Sequence, residues 1–245
     1  MLSSHPYFFA NLPLFAAVFV VLILGRRRPL ARLALYSGLV CLPCSLLALM
    51  HEGYWRPARL GGGPIGVEDP IFTFTTGALV WFCAAWPHRG DLRAPSELLS
   101  SRVAKRILLL GLPSEVVLAV LWYAGVDPMS ATLLASLPLL TVLLVRRRQL
   151  WILAVAGLAF FMPVYYAVVK LQFAIFPGYP LQWNQQGSWA AAFLGLPAGE
   201  WAWAAAFAML WPVVIASAFE VEFRPAGHRK FHQGLPKKTQ LRLGA

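Results

Sequence analysis

Glu68 and Asp69 stand side by side in GGGPIGVEDPIFTF, where a glycine-rich turn runs into an apolar, aromatic segment. Charged residues are only 13% of the chain, so two acids at the mouth of a hydrophobic run call for a reason. At a helix N-terminus the macrodipole favours the charged carboxylate, whereas burial in hydrocarbon favours the neutral one. Opposing pulls on adjacent acids can leave one neutral and one ionised, an acid/base pair that works without a metal or a flavin. Phe72 shares a helix face with Glu68 at i, i+4. Glu200, with Trp203 three residues on, repeats the arrangement in GLPAGEWAWAAAF. An acid beside aromatic faces can protonate an alkene, and the rings can then shelter a carbocation. Asp69 has a competing reading as an N-terminal cap at the water interface.

Other candidates surround these starts. Glu115, in GLPSE, lies about two turns into an apolar segment, as a third cavity acid or as a helix-pairing group. The loop HEGYW supplies His51 and Glu52 as candidates for the mouth of a cavity. It also supplies Tyr54 and Trp55, which an interfacial aromatic belt explains as well. The segment FPGYPLQWNQQGSW reads as a similar interfacial cover. Cys41 and Cys44 have CxxC spacing, but a zinc site needs a second ligand pair, and Cys83 stands alone. They read as small buried helix residues, so no metal is expected. The chain has no glycine-rich nucleotide loop after a strand, no HExxH and no GxSxG, and no cofactor is expected.

The elements that must position these residues are apolar throughout. The 245 residues are 59% hydrophobic, with a mean hydropathy of +0.63. Soluble domains average about 45–50% apolar and about 25% charged, so the chain reads as an integral membrane protein. Spans of about 20 apolar residues are expected at about 7–24, 33–50, 67–86, 107–126, 129–145, 150–171 and 197–219. The first could be mistaken for a signal peptide, but Arg26, Arg27 and Arg28 follow its apolar run instead of preceding it. It is read as a retained helix.

The net charge of +11 does not point to nucleic acid, because the basic residues cluster at the ends of apolar runs and no separate basic domain carries them. With the N-terminus outside and alternating spans, eighteen Lys and Arg fall inside and three outside: Arg56, Arg59 and Lys170. That segregation predicts the N-terminus out and the C-terminus in. Residues 1–223 are then a transmembrane domain, and 224–245 a basic cytoplasmic tail facing lipid headgroups. The third and seventh spans open alike, with Gly/Pro, an acid, aromatics and small residues. The expected fold is therefore all-α and polytopic, with seven transmembrane helices. Two three-helix repeats, about 7–86 and 129–219, are joined by a linking helix at about 107–126. A repeat offset of four helices implies a parallel pseudo-twofold about the membrane normal. Both acidic starts would lie at one level and face each other across one cavity.

These two motifs and the preceding Tyr-Trp resemble the lycopene cyclase domain, the membrane-embedded type of actinobacteria, archaea and fungi. The length matches the form that fuses both halves. The family's Pro-x-Glu-Glu/Asp motif corresponds to Gly66-Val67-Glu68-Asp69 and to Pro197-Ala198-Gly199-Glu200. Its proline is Gly66 in the first copy, and its first acid is Gly199 in the second. The resemblance implies an isomerisation. A carboxylic acid protonates the terminal double bond of a linear carotene end group, the chain closes onto the cation, and a base removes a proton. Glu68 would be the acid and Asp69 or Glu200 its partner, with Phe72, Trp203 and Tyr54 along the cation's path. The implied partners are a lipophilic isoprenoid or carotenoid substrate and the lipid bilayer, and the implied location is a bacterial cytoplasmic membrane.

Two other classes are open to the sequence, besides a relative that has lost catalysis. Three-plus-one-plus-three repeats also build small transporters, which need a polar midplane site. Asn184, Gln185 and Gln186 lie in a loop instead. A retinal-type photoreceptor needs a lysine within a span, and Lys170 sits at the outer end of the sixth.

Overall fold

The computed structural model describes residues 5–25, 28–95, 100–184 and 186–223. The basic tail, Arg26 and Arg27 of the charge pattern, and Gln185 lie outside the described residues. The described chain is mostly helical. Helices α1 (Pro6–Gly25), α2 (Pro29–Cys41), α3 (Glu68–Ala85) and α4 (Ser101–Tyr123) come first. Then follow α5 (Pro128–Arg146), α6 (Trp151–Ala156), α7 (Met162–Ile175) and α8 (Ala198–Ala218). A π-helical turn, Gly157–Phe161, joins α6 to α7 as one rod. Among the described residues, five stretches are long and apolar enough to cross a membrane: Pro6–Leu24, Pro29–Leu49, Pro128–Arg146, Arg148–Ile175 and Ala198–Ala218. This is a multi-pass membrane protein.

Local chemistry sets the helix starts. Pro29 and Pro128 occupy first-turn positions, where the missing N–H costs nothing. The Asp127 carboxylate caps α5 by accepting from Ser130 N at 3.0 Å, and the Ser100 hydroxyl caps α4 by accepting from Val103 N at 3.3 Å. The expected second span departs from a single α-helix. After Cys41 it tightens into a 3₁₀ helix, Leu42–Leu49, beginning at Leu42-Pro43. Proline lacks the N–H that an α-helical bond would need and crowds the preceding turn.

The two remaining helices differ in where they sit. α3 packs against α1, α2 and α8 and is the interior helix of the first half. Its Thr75 and Thr76 hydroxyls are satisfied within the helix, donating to the Ile71 and Phe72 carbonyls at 2.7 Å each. α2 and α3 approach closely because a Cβ on Gly38 would strike Phe74, and one on Gly77 would strike Cys41. Small residues at such crossings let membrane helices pack by van der Waals contact. α4 is the opposite case. It touches α5 and α8, buries only Val103 and Leu118, and leaves Leu108, Leu112, Val116 and Val120 exposed.

α8 packs on α5 and α6 and is buried on most of its surface. Trp211 Nε1 donates to Ser37 Oγ at 2.9 Å, tying α8 to α2. Arg147 closes the far end of α8, donating to Ala216 O at 2.9 Å and Val221 O at 2.8 Å.

The all-α expectation omits two short strand pairs. β1 (Leu92–Arg93) pairs antiparallel with β4 (Glu222–Phe223), and β2 (Ala192–Phe193) with β3 (Leu196–Pro197). Two-residue strands carry no period-2 signal, so pattern reading cannot find them.

Candidate functional site

The N-terminal turns of α3 and α8, with the loops preceding them, close over a cavity of about 250 Å³. Asp69, Glu115 and Glu200 line it, with His51, Tyr54, Trp55, Phe72 and Trp203. Glu68 and Glu52 do not. The structure thus brings both acidic starts to one cavity, but through Asp69 and Glu200.

Asp69 is buried and ion-paired. Arg59 Nε lies 2.8 Å from its Oδ2, and Arg59 Nη2 donates to its Oδ1 at 3.3 Å, a fork on a carboxylate. Gly66 N donates to Oδ2 at 2.7 Å, and the Tyr7 hydroxyl donates to Oδ1 at 3.3 Å. Asp69 accepts from the chain just ahead of α3, whose N-cap, Val67, has no side-chain cap bond, and it also faces the cavity. Arg59 is itself buried, with its guanidinium 5.8 Å from the Trp55 ring.

Glu200 is held differently. The Tyr165 hydroxyl donates to its Oε2 at 2.5 Å and Trp183 Nε1 donates to its Oε1 at 2.7 Å. Among the described residues no cation pairs with it. The residue before it, Gly199, is where the Tyr54 ring rests, and a Cβ there would overlap the phenol. Burial, and then the Glu200 carboxylate, push the Tyr54 hydroxyl well above its usual range, so it stays protonated.

Glu68 is fully buried behind this layer. Its Oε1 accepts from Leu60 N at 2.7 Å, and its Oε2 is tucked against Gly66 without a hydrogen-bond partner among the described residues. A side chain on Gly66 would occupy the carboxylate's place. Adjacent helical residues point about 100° apart, so of the Glu68-Asp69 pair only one can face inward. Glu115 lies on the largely exposed α4 at the edge of the cavity.

Aromatic rings make up much of the wall. Phe72 stacks on Trp203 with centroids 5.8 Å apart, and Trp203 on Phe207 at 5.4 Å. Tyr165 approaches Trp203 at 5.8 Å, and Tyr7 meets Trp55 edge-on at 4.7 Å. The polar amides in the wall are engaged with backbone: Asn11 Nδ2 donates to Tyr7 O at 2.8 Å and Gln172 Nε2 to Ala10 O at 3.2 Å. His51 Nδ1 donates to Leu47 O at 2.8 Å, and its Nε2 lies 3.3 Å from Thr132 Oγ1. Burial pulls the His51 imidazole below its usual value, so it is neutral at pH 7, while the Thr132 hydroxyl donates to Pro128 O at 2.8 Å.

The loops over the cavity are stitched together. Trp55 and Trp183 form a bridge, Arg56 N donates to Gln182 O at 2.8 Å, and Asn184 N donates to Tyr54 O at 2.8 Å. The cover read from FPGYPLQWNQQGSW is therefore also part of the site, since it delivers Trp183 to Glu200.

Sequence reasoning missed Arg59, Tyr7, Tyr165 and Trp183. Arg59 counted only as an outer positive charge, although an arginine shortly before paired acids in an apolar context is a counter-ion signal. Nothing in the pattern links Tyr165 or Trp183 to Glu200, 35 and 17 residues away. Cys41, Cys44 and Cys83 are free thiols, and no cluster of metal-ligating side chains occurs among the described residues. No family model, curated protein or solved structure matches the chain.

Proposed function

We propose that the protein is a membrane-embedded cyclase of a linear isoprenoid or carotenoid end group, working by acid/base chemistry through a carbocation. The observation that carries this reading is one aromatic-walled cavity with two unlike carboxyl groups: Asp69 paired with Arg59, and Glu200 held by neutral donors. Glu200 serves as the acid. It delivers its proton to the terminal double bond, and the Tyr165 hydroxyl and Trp183 N–H stabilise the carboxylate left behind. A neighbouring double bond closes onto the cation while Phe72, Trp203 and Phe207 present their π faces to the positive charge. Asp69 takes the proton that leaves the ring. One proton enters and one leaves, so substrate and product are isomers.

In this reading the acid is Glu200, not Glu68. The correspondence of Glu68 with Gly199 then matters little, because neither position lines the cavity. The stitched outer loops favour entry from the bilayer, by way of the edge at Glu115. The cavity is at the small end of ligand sites, of size for one end of a long chain. Seven spans in two three-helix repeats, with the N-terminus outside a bacterial cytoplasmic membrane, complete the proposal. The eighteen-to-three split of basic residues supports that orientation.

The test is expression in cells that accumulate lycopene, with pigments separated by chromatography. A cyclised product that disappears with Glu200→Gln and Asp69→Asn but persists with Glu68→Gln is the expected result. Absence of any cyclised pigment, with the protein present in the membrane, overturns the reading.

A further inference from the structure

The opposite end of α3 from Asp69 carries a second hollow, of about 320 Å³. Arg28, Arg89 and Arg93 converge on it beside Leu30, Trp81 and Trp86. The floor is rigid: Trp81 is fully buried, and its Nε1 donates to Leu30 O at 3.2 Å. Arg89 is held in place twice. Its guanidinium lies 4.7 Å from the Trp86 ring centroid, and its Nη1 donates to Trp86 O at 3.2 Å. Arg93 stands opposite Glu222 in the β1–β4 register, so that one charge has an acid at hand. Arg28 and Arg89 pair with no described carboxylate. Asp91, in the same turn, is not part of the wall.

Three arginines line one hollow, and an anion there would offset their mutual repulsion. A planar guanidinium matches a phosphate in bidentate fashion, and a phosphate can take several at once. The hollow lies at the C-terminal end of α3 beside the half-exposed indole of Trp86, and indoles favour membrane–water interfaces. Basic pockets between membrane helices hold acidic headgroups at this level. We infer that this hollow binds a phosphate group, as the phosphodiester of an anionic lipid or as a soluble phosphate. The site is independent of the cavity chemistry proposed above.

The test is native mass spectrometry of the purified full-length protein in detergent, titrated with phosphatidylglycerol or with phosphatidylcholine of the same chains. Phosphatidylglycerol should bind at least about fivefold more tightly, and Arg28→Gln or Arg89→Gln should each weaken it about fivefold. Arg89→Lys, which keeps the charge but loses the planar fork, should bind more weakly than the wild type and more tightly than Arg89→Gln. Arg146→Gln, an exposed arginine outside the hollow, should leave it unchanged. Competition with millimolar inorganic phosphate separates the sources: displacement assigns the hollow to a soluble phosphate, and persistence assigns it to the lipid. Equal binding of the two lipids with no retention of inorganic phosphate, or full phosphatidylglycerol binding by Arg28→Gln and Arg89→Gln, overturns the inference.

Discussion

The start of α3 and the start of α8 solve one problem in two ways. Each places a carboxyl group at the same cavity from the first turn of a buried helix. At α3 the acid is matched by a buried arginine, and a second acid, Glu68, is stored behind it under the Leu60 amide. At α8 the acid has only hydroxyl and indole donors, and the position before it is emptied to Gly199 so that Tyr54 can lie there. One half is built like an ion pair, the other like a hydrogen-bonded neutral site. The difference teaches that likeness of sequence at two helix starts fixes where acids enter a cavity, while their roles depend on partners from elsewhere in the chain.

The largest effect expected is on the α8 side. Glu200→Gln should lower product by at least about 10²-fold, the range for loss of a general acid, measured by pigment yield at equal membrane content. Product formation near the wild-type level would make the two starts equivalent and dissolve the contrast. On the α3 side the first consequence is structural. Arg59→Met leaves Asp69 buried without its partner, at a cost of about 3–5 kcal/mol in unfolding of the detergent-solubilised protein. Arg59→Met with Asp69→Asn should recover much of that loss, and an additive double variant would show that the pair is not coupled.

Smaller effects sharpen the same comparison. Gly199→Ala forces a methyl group into the Tyr54 ring and should cost about 1–3 kcal/mol, as overpacking does. Tyr54→Ala should relieve most of that cost in a double-mutant cycle. Glu68→Gln should cost only about 1 kcal/mol and keep most of the product, since Leu60 N–H retains an acceptor. Loss of product there would return Glu68 to the chemistry. The smallest effect concerns His51, whose folded-state value is lowered by burial. The unfolded chain binds this proton first as pH falls below its ordinary value near 6.5. Stability should therefore be full above that pH and decline as pH falls toward the folded value. His51→Gln should flatten that slope in unfolding titrations between about pH 7 and 5.

The helical rods, the acidic starts and the aromatic neighbours Phe72 and Trp203 could be read from the chain, because apolar length and i, i+4 spacing are local properties. Three things could not. The break at Cys41 depends on how Pro43 is accommodated, and the paired two-residue strands depend on contacts between distant loops. The choice between Glu68 and Asp69 depends on the rotation of α3 about its axis. Their adjacency makes them equal candidates in sequence, but the fold buries Glu68 under the Leu60 amide and turns Asp69, held by Arg59 and Gly66 N, to the cavity. Partners found across 35 residues, as Tyr165 and Glu200 are, leave no periodic trace. Hydrophobic run length and charge placement by themselves determined a membrane protein with acids at two helix starts, because water and hydrocarbon sort residues one at a time. Only the tertiary structure decided which acid meets a cation and which meets neutral donors, because a buried charge is set by whatever the fold brings within hydrogen-bonding distance.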